Sequence, residues 1–89
     1  MPYIDEESRQ RLDVGGKAKN PGELNYLITR LVDVYLTDQI PLRYTHINEV
    51  IGVLECMKLE LYRRIASPYE DEKIMDHGDV YQCISNDKP

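Results

Sequence analysis

Apolar residues in the second half of the chain recur with the period of an α-helix and fall on more than one face. One line contains Ile47, Ile51, Leu54, Lys58, Leu61 and Ile65, and a second contains Val50, Val53, Met57 and Leu61. Because one partner helix covers one line, two lines predict a second partner, either another helix of this chain or another copy of it. Thr45 is a candidate cap for this long helix, which would measure about 30 Å.

A second helix of some length is predicted upstream, from Asn20. In Asn20-Pro21-Gly22-Glu23, Asn20 can cap, Pro21 suits the first helical position, and Glu23 can reach back to complete a capping box. Its apolar stripe is formed by Leu24, Ile28, Leu31 and Tyr35. Pro41 forbids continuation, so we expect this helix to end near Thr37-Asp38.

Two short helices should flank this pair. Asp5-Glu6-Glu7 followed by Arg9 and Arg11 has the charge order of a helix that Gly15-Gly16 ends. Ser67-Pro68-Tyr69-Glu70 repeats the start signal, and Gly78 is a natural stop.

The predicted fold class is all-α, a helical hairpin of two longer helices with short flanking helices, packed as a homo-oligomeric bundle. We expect a single small domain over 1–89, with a short helix and flexible connector in 1–19, a helical core in 20–78, and a tail in 79–89 whose last five residues are disordered. A chain of 89 residues is marginally stable alone, and its two cysteines form no disulfide framework. Oligomerisation is the remaining support.

The net charge of −5, from 16 acidic and 11 basic residues, disfavours a nucleic acid polymer as partner. The chain has no run of about 18 apolar residues that could span a membrane. Its acidic start has no apolar signal segment, so we expect a cytoplasmic protein.

Seven tyrosines with no Phe or Trp suggest wet pockets or interfaces. The first candidate ligand-binding set is Arg63 and Arg64 with Tyr62 and Tyr69, since Arg grips anions and Tyr stacks on planar rings. Helix-dipole complementarity and Glu60–Arg64 pairing explain the same residues without a ligand.

The second candidate set is Asn25, Tyr26 and Arg30, which follow the helix start at Pro21-Gly22. Exposed N–H groups at a helix start favour an anion. A solvated polar face is the competing interpretation.

No catalytic motif is visible, and we expect neither an enzyme nor a cofactor. Asp76-His77-Gly78-Asp79 could hold a metal, but a helix-stop turn explains the pattern equally well, so no metal site is predicted. A metal-dependent phosphohydrolase ranks last because its acidic residues lack the Glu-x-x-Glu spacing on helices. It would use Glu55, Glu60, Glu70 and Asp71.

Several strings resemble a family of short proteins of tailed phages and prophage-bearing bacteria that has no established activity. They are Pro21-Gly22-Glu23-Leu24-Asn25-Tyr26, Ile28-Thr29-Arg30-Leu31, Ile47-Asn48-Glu49-Val50-Ile51-Gly52, Leu59-Glu60-Leu61-Tyr62-Arg63-Arg64, Pro68-Tyr69-Glu70-Asp71 and Gly78-Asp79-Val80-Tyr81. The resemblance covers nearly the whole chain and implies a phage context but no catalytic residue.

Some small helical phage proteins sequester nucleotide immune signals, and the first hypothesis follows from them by analogy of size and context. It is a non-enzymatic homo-oligomer that binds a small anionic, nucleotide-type ligand as a counter-defence sponge in the host cytoplasm. The alternative is an adaptor or inhibitor of a host protein, which would cover the second apolar stripe.

Overall fold

A computed structural model describes residues 1–84, and these residues form helices joined by short connections, with no strand among them. Helix α1 spans Glu6–Asp13, α2 spans Pro21–Thr37, α3 spans Tyr44–Leu61, and α4 spans Ser67–His77. A π-helix, Tyr62–Ala66, joins α3 to α4. The predicted all-α class is confirmed, whereas the predicted disorder of the last five residues lies outside the described part of the chain.

The first compact unit is Met1–Val50, in which α1 packs against α2. Its small core contains Leu12, Tyr26 and the carboxylate side chain of Glu23, which are 3%, 7% and 7% exposed. Side-chain caps begin both helices: Asp5 Oδ1 accepts from the Ser8 amide at 2.8 Å, and Asn20 Oδ1 accepts from the Glu23 amide at 2.9 Å. The predicted start and end of α2 are therefore confirmed.

Glu23 does not act as the predicted capping box. Its carboxylate reaches past Asn20 to accept from the backbone N–H of Lys19 at 3.0 Å and from the guanidinium of Arg11. Arg11 also donates to the backbone carbonyl of Lys17, in the connection between α1 and α2, at 2.9 Å. Glu23 therefore links α1, the connection and α2. A buried carboxylate requires such hydrogen-bonding and charged partners, because burial without them is costly.

We expect Glu23→Gln to destabilise the protein at neutral pH. The Arg11 guanidinium and the Lys19 amide hold the pKa of Glu23 below its ordinary value of 4.5. A carboxyl whose pKa is lowered by folding contributes stability above its unfolded pKa, and this contribution is lost as pH falls through the folded pKa. The gap in urea midpoint between the wild type and the variant should therefore narrow between pH 7 and about pH 3.5.

Glu7→Gln is the control for this comparison, since Glu7 is exposed in the first turn of α1. It should leave the urea midpoint nearly unchanged at both pH values. A gap that stays constant with pH for Glu23→Gln would mean that the carboxylate charge contributes nothing to the stability of the first unit.

The prediction that Thr45 caps α3 is wrong. The helix begins one residue earlier, at Tyr44, and Nδ1 of His46 accepts a hydrogen bond from the backbone N–H of Arg43 at 3.1 Å. The imidazole of His46, in the first turn of α3, therefore accepts the hydrogen bond of the backbone N–H that precedes the helix.

The predicted hairpin of α2 with α3 is not found within the first unit. Residues 44–50 of α3 do not pack against α2, whose flank is occupied by α1. The apolar stripe of α2 is consequently left open in the single chain, and Leu31 at its centre is 73% exposed.

The second compact unit is Ile51–Pro89, in which the π-helix packs against α4. Helix α4 begins at Ser67, as predicted, but the predicted cap is absent. The backbone of Leu61, Ala66 and Ser67 is helical, so the chain passes from the π-helix into α4 without a break. The N–H of Ser67 donates to the carbonyl of Tyr62, five residues back. Pro68 explains the wide turn: it has no N–H to donate, and its ring clashes with the carbonyl of a regular preceding turn.

Helix α4 ends as predicted at Gly78, whose φ of 89° suits glycine and whose N–H donates to the carbonyl of Ile74 at 2.8 Å. No residue between 51 and 84 is buried in the single chain. Cys56 and Cys83 are both free thiols and exposed. Among the described residues, no helix is long and apolar enough to cross a membrane.

Candidate ligand-binding site

Arg63 and Arg64 lie next to each other on the π-helix and share one carboxylate. Glu60 Oε1 is 2.8 Å from a guanidinium nitrogen of Arg63 and 3.7 Å from one of Arg64. The predicted pairing of Glu60 with Arg64 is therefore confirmed. Both arginine side chains remain about two-thirds exposed, at 69% and 67%. One carboxylate neutralises only one of two guanidiniums, so a net positive charge remains available to an anion.

The two tyrosines of the same set already have polar contacts within the second unit. The Tyr62 hydroxyl donates to Glu70 Oε1 at 2.7 Å, and this hydrogen bond raises the pKa of Tyr62 above its ordinary value of 10.0. The Lys73 ammonium lies 5.3 Å from the ring centroid of Tyr69, within cation–π distance. Both rings are more than half exposed, although Lys73 covers part of the Tyr69 ring.

The Tyr62–Glu70 bond links the π-helix to α4. It spans eight residues, which a regular helix would not bring face to face, and the wide π-turn changes the angular relation of the two segments. Lys73 was not among the predicted site residues. Its spacing of four from Tyr69 on a helix is the signal that could have identified it.

Tyr26 of the second candidate set lies in the contact of α1 with α2. Its hydroxyl donates to Asp13 Oδ1 at 2.8 Å, and the Arg9 guanidinium carbon lies 5.8 Å from its ring centroid. The hydrogen bond to Asp13, together with burial, raises the pKa of Tyr26. These contacts give Tyr26 a packing role that the sequence could not show, because Asp13 is 13 residues away.

Asn25 and Arg30 are exposed on α2, and each bonds within the helix. Asn25 Oδ1 accepts from the Thr29 hydroxyl at 3.1 Å, and Arg30 pairs with Asp33 at 3.0 Å. Arg30 also lies at the rim of an open groove of about 480 Å³ in the first unit. The other groove residues are Leu12, Asp13, Leu27, Leu31 and Val34.

Three of the four acidic residues that a phosphohydrolase would need have other partners. Glu55 pairs with Lys58 at 3.2 Å, while Glu60 and Glu70 pair with the arginines and with Tyr62. Within residues 1–84, no three His, Cys, Asp or Glu side chains are grouped as metal ligands would be.

The structure therefore brings Arg63, Arg64, Tyr62 and Tyr69 onto one short stretch of the second unit, and Asn25, Tyr26 and Arg30 onto α2 in the first. Comparison with protein families matches residues 1–80 to a family described as "Domain of unknown function (DUF6899)". Comparisons with curated proteins and with solved structures give no match.

Proposed function

The chain belongs to the DUF6899 family, and we propose that it is a non-enzymatic homo-oligomer that binds a small anionic ligand at a subunit interface. The ligand class is a nucleotide-type signal, which the protein would sequester without turnover. In a phage or prophage, such a protein would act in the cytoplasm of the host bacterium as a counter-defence sponge. The observation that carries the proposal is the exposed Arg63–Arg64 pair, which shares the single carboxylate of Glu60. The pair lies on the same stretch of the chain as Tyr62 and Tyr69, whose rings are more than half exposed.

Self-association is supported by the accessible surface of the chain, which is 7918 Å². Even two separate compact bodies of the size of the two units, sharing 10.4 kDa, would expose only about 6,500 Å² together. The excess of about 1,400 Å² per chain lies within the roughly 1,000–2,500 Å² that one subunit buries in an obligate homodimer. Since much of this surface is apolar, we expect other copies of the chain to bury it.

An interface would also complete the ligand site. Arg63, Arg64, Tyr62 and Tyr69 are all exposed, so they do not enclose a ligand in the single chain. Tight binding of a small molecule requires burial of most of its surface. A neighbouring copy that covers α3 would place a second wall beside the π-helix and desolvate the unpaired guanidinium charge.

Native mass spectrometry of gently purified protein, followed by calorimetry against cyclic dinucleotides and ADP-ribose derivatives, tests the proposal. We expect an oligomer that carries one small molecule per site, and heat of binding with a member of the panel. Arg63→Ala and Arg64→Ala should each weaken this binding at least about tenfold, because each removes a charge-assisted hydrogen bond donor.

Arg43→Ala is the matched control, since Arg43 is an exposed arginine in the connection before α3. It should bind as the wild type does. An oligomer without added mass and without heat for any member of the panel would overturn the ligand proposal. A monomer at micromolar concentration would overturn self-association and favour the alternative, in which a host protein covers the second apolar stripe.

A further inference from the structure

The second unit contains an open cleft at the carboxyl end of α4 that involves neither Arg63 nor Arg64. Gly78 turns the chain, so that Val80 and Tyr81 line the cleft together with Lys73, Ile74 and His77. Its volume of about 380 Å³ lies in the range of small-molecule sites. The walls are formed by one chain alone, so the cleft exists without a partner copy.

The cleft is lined by two carboxylates, Glu70 and Asp79, and by two basic side chains, Lys73 and His77. Glu70 accepts from the Tyr62 hydroxyl at 2.7 Å, and Asp79 Oδ1 accepts from the Tyr81 amide at 2.9 Å. No carboxylate within the described residues forms an ion pair with Lys73 or His77, and the Lys73 ammonium lies over the Tyr69 ring. The two basic residues are four apart on α4 and therefore lie on the same face of the helix.

The apolar part of the cleft lies beside these basic groups. Ile74, Val80 and the ring of Tyr81 provide apolar and aromatic surface, while Lys73 provides an ammonium and His77 a ring N–H donor. Surface of this kind suits a flat ring, and the donors suit a negatively charged substituent on it. Neither half alone would select a ligand, but together they specify a ring that carries an anion.

We propose that this cleft is a binding site for a small aromatic or heteroaromatic ring that carries one anionic group, a phosphate or a carboxylate. The anion lies between Lys73 and His77, and the ring lies against Ile74, Val80 and Tyr81. This site needs neither the Arg63–Arg64 pair nor self-association, although Lys73 and Glu70 also contact Tyr69 and Tyr62 of the first candidate set.

The test is titration of the full chain with adenosine monophosphate and, separately, with benzoate, followed by NMR of the Ile74 and Val80 methyl groups. We expect saturable shifts with a dissociation constant of about 1 mM for at least one probe. Adenosine, which lacks the anion, should give much smaller shifts. Lys73→Gln should weaken binding about fivefold, a modest factor because solvent screens an open site.

Lys17→Gln is the control, because Lys17 is exposed and belongs to the first unit. It should leave the titration unchanged. Binding of the phosphate probe alone assigns a phosphate ligand, and binding of benzoate alone assigns a carboxylate. Absence of shifts with both probes, or equal binding by Lys73→Gln and the wild type, would overturn the site whatever calorimetry shows for Arg63 and Arg64.

Discussion

Replacement of Leu12 by alanine is expected to lower the free energy of unfolding by about 3 kcal/mol, the typical cost of truncating a buried leucine. Leu12 is 3% exposed and is the most buried apolar side chain of the first unit. Its removal leaves a cavity where α1 meets α2, in a core with few other apolar side chains to fill it. Urea unfolding followed by circular dichroism, at one fixed protein concentration, measures the change.

Val14→Ala is the control for this experiment, because Val14 lies two residues away and is 86% exposed. It should change the free energy of unfolding by less than about 0.5 kcal/mol. If Leu12→Ala and Val14→Ala unfold at the same urea concentration, α1 does not contribute to the stability of the first unit as its packing implies.

Replacement of Leu31 by aspartate is expected to weaken self-association at least about a hundredfold. Leu31 lies at the centre of the α2 stripe and is 73% exposed, so a charge there is tolerated in the single chain. In an interface the same change removes buried apolar area from each copy and places a charge in the contact. Losing about 1.5–3 kcal/mol for each copy accounts for the factor.

Sedimentation equilibrium of the variant over a range of concentrations measures this effect, and the circular dichroism spectrum checks that its helices persist. Met75→Asp is the control, since Met75 is 86% exposed on α4 and outside the stripe. An unchanged oligomer mass for Leu31→Asp would show that copies of the chain do not associate through the α2 stripe.

The positions of the helices were predictable because their ends depend on residues close by in sequence. Asn20 caps α2 through an amide three residues away, and Gly78 ends α4 through its own backbone conformation. The same local reasoning was right only in part at Ser67-Pro68, where α4 begins but no side chain caps it, because the preceding residues are already helical. The residues on both sides of this point keep helical backbone angles, so the chain accommodates Pro68 by widening into a π-turn and does not break the helix.

The sequence by itself determined the all-helical class of the described residues, the bounds of most helices, and the pairing of Glu60 with Arg64, because each depends on neighbours within about one helical turn. Only the tertiary structure decided that Glu23 meets Arg11 and that Tyr26 meets Asp13, pairs 12 and 13 residues apart that form when α1 folds back onto α2. Only the tertiary structure, likewise, placed Lys73, His77 and Tyr81 around one cleft, since the turn at Gly78 sets where the chain returns. Contacts of this kind depend on the path of the backbone between helices, and no periodicity along the sequence encodes that path.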